Sequence, residues 1–340
     1  MIKNSYKLLF FLSMMIGSLI AISSISWFSI WMGLEINLLS FIPLMMSSKN
    51  LFSSEASLKY FLTQTLASAI FLFAIIFFFF LSNFKINLMI FMPILISSTM
   101  LLKSGAAPFH FWLPSVMEGL NWNTNMILMT WQKIAPLMII SYCLNFKLLI
   151  FIIFLSIFFG SLGGLNQTSL RKLMAFSSIN HLGWMMSGML NSETFWMIYF
   201  LFYCFLSLSI IFMFNNFNLL NINQSFSKFN SIFLMKIFMF LSLLSLGGLP
   251  PFLGFFPKWL IIELLVSMKM FYMLLFMLFF TLLTLYFYLR ISYAALMINH
   301  LEMNWSFKIY FQMKNQKILI IFSFFSMFGL FLINLIFYFF

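Results

Sequence analysis

The chain has 340 residues, of which 64% are hydrophobic and 7% are charged, and its formal net charge is +12. A soluble domain carries about 25% charged residues, so this composition excludes a water-soluble globule and indicates a polytopic membrane protein. The basic residues are scattered and lack the interleaved aromatic residues of a nucleic-acid surface, which argues against nucleic acid as a partner. Cys143 and Cys204 show no CxxC pattern, so we expect inert thiols and no metal, haem or iron–sulfur site.

Apolar stretches long enough to cross a membrane follow one another along the whole chain. A bilayer core of about 30 Å needs roughly 20 such residues per helix. The sequence predicts eleven spans, at 7–24, 26–46, 56–81, 87–119, 123–143, 147–166, 170–190, 194–215, 234–266, 270–298 and 318–338. Backbone groups in lipid must bond internally, and the stretches are too long for barrel strands. We therefore expect an all-α polytopic membrane protein.

The charges between the spans predict the orientation of the chain. Sorting the loop Lys and Arg residues places eleven, among them Arg171, Lys172 and Lys236, on one face and three on the other. By the positive-inside rule the N-terminus lies inside and the C-terminus outside. The excess of Phe, Met and Lys is typical of an A/T-rich organellar genome, and residues 1–23 lack the pattern of a transit peptide. An ordinary first span and a signal peptide look alike over these residues.

Two spans, 87–119 and 234–266, are interrupted by the same motif of one glycine, a phenylalanine and two prolines. The motif consists of Gly105, Pro108, Phe109 and Pro114 in the first span, and of Gly248, Pro251, Phe252 and Pro257 in the second. Proline removes a helical hydrogen bond and clashes with the preceding turn, so each motif predicts a helix break. Broken helices at corresponding positions are typical of a transporter's ion site. A chance match among Gly- and Pro-containing membrane segments is the alternative.

The repeat also predicts how the chain is divided. The motifs lie in the fourth and the ninth span, an odd number of helices apart, so two successive five-helix bundles run in opposite senses. We therefore expect two inverted five-helix repeats, 1–143 and 147–298, each with one discontinuous helix. Residues 299–340 then form a loop and a C-terminal transmembrane helix.

Four ionisable residues within spans are candidates for moving protons. Glu35 lies in the second span, Lys103 before the first break, Lys133 in the fifth span and Lys258 after the second break. A charge at membrane depth costs at least about 2.5–3.5 kcal/mol. Burial disfavours a charged lysine and a nearby carboxylate favours it, so a lysine under both influences can take up and release a proton. Glu35 is the expected partner of Lys103, and snorkelling to the headgroups is the alternative, most of all for Lys258.

Three further residues have two interpretations each. His181, in the middle of the seventh span, can relay a proton between its ring nitrogens or can bond a neighbouring helix structurally. His110, beside the first break, has the same two interpretations, whereas for Arg290 snorkelling is favoured over a functional role. Pro136, three residues after Lys133, predicts a third helix break. The chain has no phosphate loop, nucleophile–base pair or cofactor fingerprint, so we expect no redox or hydrolytic chemistry of its own.

Four segments, 31–43, 102–112, 131–136 and 164–184, together closely resemble the subunit 2 family of mitochondrial NADH dehydrogenase (ubiquinone), respiratory complex I, whose members are antiporter-like. The resemblance covers nearly the whole chain. It implies a proton-pumping core subunit of the membrane arm in the mitochondrial inner membrane, with the N-terminus in the matrix and the C-terminus in the intermembrane space. Glu35, Lys103, Lys133 and Lys258 occupy the family's charged positions.

The resemblance further implies which groups belong to neighbours. NADH, FMN, iron–sulfur clusters and ubiquinone would be bound by other subunits, and no cofactor by this chain. Its partners would be other membrane-arm subunits, including neighbouring antiporter-like subunits, and membrane lipids. The broader antiporter-like family has fourteen helices, so the eleven expected here look as if the first three were missing, and we expect neighbouring subunits to cover that flank.

Two other classes of protein remain open from the sequence. A cation/proton antiporter outside complex I would have related helices and lysines, but it would not co-purify with NADH-oxidising activity. A structural membrane subunit would use its buried charges only to join helices, which is costly because small residues can join them instead.

Overall fold

The computed structural model describes residues 5–47, 50–84, 91–228, 233–298 and 316–339. In these ranges the chain forms fifteen α-helices, and its only extended pairing is an antiparallel bridge between Ser169 and Asn221. The helices are α1 Ser5–Ser23, α2 Trp27–Met45, α3 Leu51–Phe84, α4 Phe91–Ser104, α5 Trp112–Gly119, α6 Trp122–Met129, α7 Trp131–Tyr142, α8 Phe146–Gly164, α9 Leu170–Gly188, α10 Glu193–Asn216, α11 Ile222–Lys228, α12 Phe233–Gly247, α13 Phe255–Ser267, α14 Phe271–Tyr293 and α15 Gln316–Phe339. A π-helical turn, Ala294–Ile298, follows α14.

Several helices have the length and composition of membrane spans. Six described segments qualify: Ser5–Ser23, Trp27–Met45, Leu51–Phe80, Phe146–Gly164, Glu193–Asn216 and Phe271–Met297. Three shorter apolar helices, Met92–Ser104, Met235–Gly247 and Leu319–Phe331, accompany them. The chain is therefore an all-α, multi-pass membrane protein, as its composition predicts, whereas the count of eleven spans stays a prediction.

The chain divides into two compact units, Met1–Ser156 and Ile157–Phe340. In the first unit, α1 and α2 pack so closely that a Cβ atom on Gly33 would lie 2.7 Å from the backbone nitrogen of Ala21. Such glycine contacts bring membrane helices together without large side chains. Helix α3 packs on α2, α4 and α5, and α7 packs on α4 and α1, so α2, α3, α4 and α7 surround the centre of this unit.

Helix α9 is the inner helix of the second unit. Sixteen of its 19 residues are buried, among them Ser177, Ser178 and Asn180. It packs on α10 and α13, while α12 packs on α10, α14 and α15. Polar residues of membrane helices face the interior of the helix bundle, where they find partners. Helix α9 faces other helices on all sides and carries more polar residues than the helices around it.

Two helices end at a glycine in the left-handed region. Helix α4 ends at Ser104 and is followed by Gly105 with φ 75°, and α12 ends at Gly247 and is followed by Gly248 with φ 84°. A residue with a Cβ atom disfavours this backbone conformation, so glycine provides the helix end. Pro108 and Pro251 lie in the non-helical segments that follow. Pro114 and Pro257, predicted as parts of the breaks, instead lie in the first turns of the helices that begin at Trp112 and Phe255, where a proline costs no helical hydrogen bond.

The expectation that Pro136 breaks its helix is wrong. Pro136 lies inside α7, and the interruption falls earlier, at Thr130, between α6 and α7. The Thr130 hydroxyl and N–H both donate to the Met126 carbonyl, at 2.7 and 3.1 Å, and close the end of α6. A proline costs a membrane helix one backbone bond, and such helices tolerate that loss where neighbouring groups compensate it.

Candidate functional site

A small polar cavity lies in the first unit among α2, α3, α4 and α7. The volume open to the centre of a water molecule is about 20 Å³, which is enough for about one water. Its lining includes two lysines, three amides and one phenol: Lys103, Lys133, Asn37, Gln64, Gln132 and Tyr60. A cavity with this lining can hold water in hydrogen-bonding reach of both lysines.

Lys103 belongs to the last turn of α4 and is 8% exposed. Two neutral donors satisfy carbonyl groups at this helix end: the Trp112 indole donates to the Leu102 carbonyl at 3.0 Å, and the Gln64 amide donates to the Lys103 carbonyl at 3.4 Å. The negative end of the helix dipole favours a cation at this position. The ammonium group of Lys103 is therefore held beside the cavity without being needed to cap the helix.

Lys133, 1% exposed, reaches the same cavity from α7. Its neighbour Gln132 donates through its side-chain nitrogen to the Asn37 side-chain oxygen at 2.9 Å and ties α7 to α2. Both amides are buried or half-buried, so this bond lies in a weakly polar setting where it fixes the two helices firmly. Helix α2, which carries both Asn37 and Glu35, therefore helps to position Lys133.

Glu35 is half-buried on α2, two residues before Asn37, and it does not line the cavity. It interacts electrostatically with Lys103. Among the described residues the two form no direct ion pair. The first unit therefore brings together three of the predicted site residues, two at the cavity and one within electrostatic reach of it.

The second unit places Lys258 differently. It belongs to the first turn of α13, is 6% exposed, and donates from Nζ to the Gly247 carbonyl at 2.6 Å. The ammonium also lies 5.9 Å from the centroid of the Trp184 ring, within cation–π range. Lys258 therefore caps the end of α12, where its charge also complements the helix dipole.

His181 lies buried on α9, three residues before Trp184 and on the same face of that helix. Its Nδ1 shares a hydrogen bond of 2.9 Å with the Tyr199 hydroxyl, and its ring centroid lies 5.2 Å from that of Tyr203. A phenol both donates and accepts hydrogen bonds, so this contact suits a relay and a structural bond alike.

The remaining predicted candidates lie apart from the cavity. His110 is buried in the segment after Gly105, where its ring stacks on Phe111 at 4.3 Å and bonds the Pro108 carbonyl. Arg290 is exposed on α14 and donates to the Leu165 carbonyl.

One lysine that was predicted at the membrane face is buried against other helices. Lys236, counted from the sequence among the charges at the membrane face, is 5% exposed inside α12. Its position close to the predicted start of a span hid this, because burial there depends on the helices packed around it.

No sequence pattern pointed to a role for Asn37, Gln64, Gln132 and Tyr199, although each is a polar residue in an apolar stretch. A single amide inside a membrane helix needs a partner, because an unsatisfied polar group in lipid is costly. That signal predicts an interior position for each residue, but it does not predict which groups it joins.

This all-α membrane fold has two helices interrupted at left-handed glycines and lysines buried beside both interruptions, features that are typical of the ion sites of membrane transporters. Residues 24–284 match the family model of the transmembrane part of NADH:quinone oxidoreductase and Mrp antiporters. Residues 285–337 match that of the NADH dehydrogenase subunit 2 C-terminus.

Individual relatives and solved structures agree with these matches. NADH-ubiquinone oxidoreductase chain 2 of Aedes aegypti is 58% identical over 332 residues, 96% of this chain and 97% of that protein, and the one of Anopheles gambiae is 57% identical over 330 residues. A chain of respiratory complex I from Thermus thermophilus with bound aureothin has a TM-score of 0.78 at 24% identity, over 86% of this chain and 71% of that one. A chain of the Mrp complex from a Dietzia species has a TM-score of 0.75 at 17% identity, over 84% and 59%. The chain belongs to the NADH-ubiquinone oxidoreductase chain 2 family.

Proposed function

We propose that this chain, a membrane subunit of NADH-ubiquinone oxidoreductase (respiratory complex I), conducts protons through Glu35, Lys103, Lys133, His181 and Lys258. The observation that carries the proposal is the cavity that Lys103 and Lys133 share, with room for about one water molecule. Lysines buried within a membrane protein are costly, so they persist where they have a task.

In the first unit, proton transfer depends on the repulsion between the two ammonium groups beside the cavity, those of Lys103 and Lys133. Two ammonium groups beside one small cavity repel each other, and a nearby carboxylate stabilises either of them. Proton uptake at Lys133 therefore favours release from Lys103, and the charge of Glu35 weights this balance through its electrostatic interaction with Lys103. A water molecule in the cavity would carry the proton between the two amines.

In the second unit, the groups that support conduction are linked along α9. Lys258 of α13 lies against the ring of Trp184, which belongs to α9. His181, also on α9, shares a hydrogen bond with the Tyr199 hydroxyl. An imidazole that takes a proton on one nitrogen and gives one from the other can connect a phenol to groups on its other side. Lys258 would then hold the proton at the end of α12.

The wider organisation is part of the same proposal. The chain crosses the mitochondrial inner membrane eleven times, as two inverted five-helix repeats and one further helix, with its N-terminus in the matrix and its C-terminus in the intermembrane space. The support is the repeated motif together with the uneven distribution of Lys and Arg. NADH, FMN, the iron–sulfur clusters and ubiquinone are bound by other subunits of the complex.

The variant that tests the proposal is Lys133→Ala. We expect the complex to assemble, because the neighbouring Gln132 still ties α7 to α2. We expect proton-coupled turnover to fall at least about tenfold, since a positioned proton-transfer group contributes that much or more. Assembly is checked on native gels, and turnover and pumping are measured in proteoliposomes with NADH and a quinone.

The matched control is Lys147→Ala, which removes an exposed lysine and should pump like the wild type. Normal pumping by an assembled Lys133→Ala complex would leave the buried lysines with a structural role only.

A further inference from the structure

A second and larger cavity lies in the second unit, at the predicted inside face of the membrane. Its volume is about 810 Å³, and its walls are the loop between α8 and α9, the start of α11 and the last turns of α14 with the π-helical turn. The polar lining residues are Asn166, Gln167, Thr168, Asn221, Asn223 and Arg290. Among the described residues that line it, none is acidic and Arg290 carries the formal charge.

Backbone hydrogen bonds hold the walls of this cavity in place. The N–H of Leu170 donates to the Leu220 carbonyl at 2.9 Å, and the N–H of Ile222 donates to the Thr168 carbonyl at 3.1 Å. The Gln167 side chain donates to the Gly163 carbonyl at 3.1 Å and closes the end of α8. The cavity is therefore formed before a ligand arrives, as binding sites usually are.

Arg290 is held at the cavity by one backbone hydrogen bond, which occupies only part of its donor groups. It is exposed and donates to the Leu165 carbonyl. A guanidinium group has five N–H donors in a rigid fork, so this contact orients the group and leaves donors for a ligand. The fork matches two oxygens of a phosphate, which a lysine cannot do.

The other walls suit a molecule that is anionic at one end and apolar at the other. Amide and hydroxyl groups of Asn166, Thr168 and Asn223 can bond phosphate and glycerol oxygens, while Phe226 and Ile291 provide an apolar side. The loop before α9 also precedes Arg171 and Lys172, which the positive-inside rule places at the face rich in cations. Basic pockets at that face attract anionic lipid headgroups.

We propose that this cavity binds the phosphate headgroup of an anionic phospholipid, with Arg290 as its main contact. Snorkelling, the role favoured for Arg290 from the sequence, brings the guanidinium to headgroup depth, and the cavity gives it a specific ligand there. Because the site is separate from the lysines of proton conduction, it stands or falls independently of the proposed function.

The test uses the intact complex and a photoactivatable phosphatidylglycerol with its reactive group near the headgroup. In the wild type we expect cross-links in peptides from 165–170 and 220–228, removed by excess unlabelled phosphatidylglycerol but not by phosphatidylcholine. Arg290→Gln should reduce this labelling at least about tenfold, because it removes a charge-assisted bond. Lys147→Gln, which removes an exposed lysine elsewhere, should leave the labelling unchanged.

Three outcomes overturn the proposal. They are equal labelling in wild type and Arg290→Gln, equal competition by phosphatidylcholine, and equal competition by inorganic phosphate, which would make this a site for free phosphate. If the Arg290→Gln complex does not assemble, Asn223→Ala at the exposed wall of the cavity is used in its place. This variant should be labelled more weakly than the wild type, and unchanged labelling would contradict the proposal.

Discussion

Helices α4 and α12 end alike, at a glycine in the left-handed region, but different kinds of donor complete the two ends. At α4 the donors are neutral, the indole of Trp112 and the amide of Gln64. At α12 the ammonium group of Lys258 donates to the Gly247 carbonyl. The glycine breaks the helix in both places, so the lysine is not what causes the break.

The difference shows what the position of a lysine relative to a break decides. Lys103 precedes its glycine and lies in the last turn of α4, so its ammonium can extend to the cavity while other residues cap the helix. Lys258 follows its glycine by ten residues of folded chain and returns to the carbonyl end of α12. Lys103 is available to a water-sized cavity, whereas Lys258 also caps the end of α12.

The largest expected effect comes from Lys258→Met, which should affect both assembly and turnover. It leaves the Gly247 carbonyl without its donor, and an unsatisfied buried acceptor costs about 1–3 kcal/mol. We therefore expect less assembled complex on native gels, a lower melting temperature and impaired pumping.

Lys103→Met is the matched variant in the first unit. Trp112 and Gln64 still cap α4, so it should lower turnover in a complex of normal melting temperature. Equal melting temperatures for the two variants would remove the distinction between the two breaks.

A smaller effect should separate the two glycines. Alanine at a left-handed position costs about 1–2 kcal/mol, so Gly105→Ala and Gly248→Ala should both lower the melting temperature. A Cβ atom on Gly248 would also lie 2.9 Å from Cδ and Nζ of Lys258. The atoms nearest to a Cβ atom on Gly105 would be those of Leu113 and Trp112, at 3.2 Å.

Gly248→Ala should therefore also displace Lys258 and lower turnover per assembled complex. For Gly105→Ala, turnover per assembled complex should stay closer to the wild-type value. Turnover normalised to the amount of complex decides between them, and equal loss in both variants would contradict this account.

The smallest expected effect is the coupling between Glu35 and Lys103. Because they interact without a direct ion pair, a double-mutant cycle of Glu35→Gln and Lys103→Met on turnover should be non-additive by about 0.5–1 kcal/mol, the lower part of the range for interacting residues.

Glu55→Gln provides the control for this cycle, since Glu55 pairs with Lys59 at 2.5 Å on the surface of α3. Its effect should add to that of Lys103→Met. Strict additivity for Glu35 as well would mean that the two charges act separately.

The local features of this protein can be predicted from its sequence. The all-α membrane class follows from the composition, because lipid leaves a backbone few other choices. The glycines before both helix interruptions stand out in the sequence because a left-handed helix end needs glycine whatever surrounds it. Family membership is equally visible in short segments such as 102–112.

The packed fold alone establishes which residues meet, because that depends on how helices distant in sequence pack. It brought Gln132 to Asn37 and both to the cavity of Lys103 and Lys133, and it buried Lys236 inside α12. It also moved the interruption from Pro136 to Thr130, since the packing around a proline determines whether one lost hydrogen bond ends a helix. A polar residue in an apolar stretch indicates that a partner is needed, and the packing of the helices determines which residue that partner is.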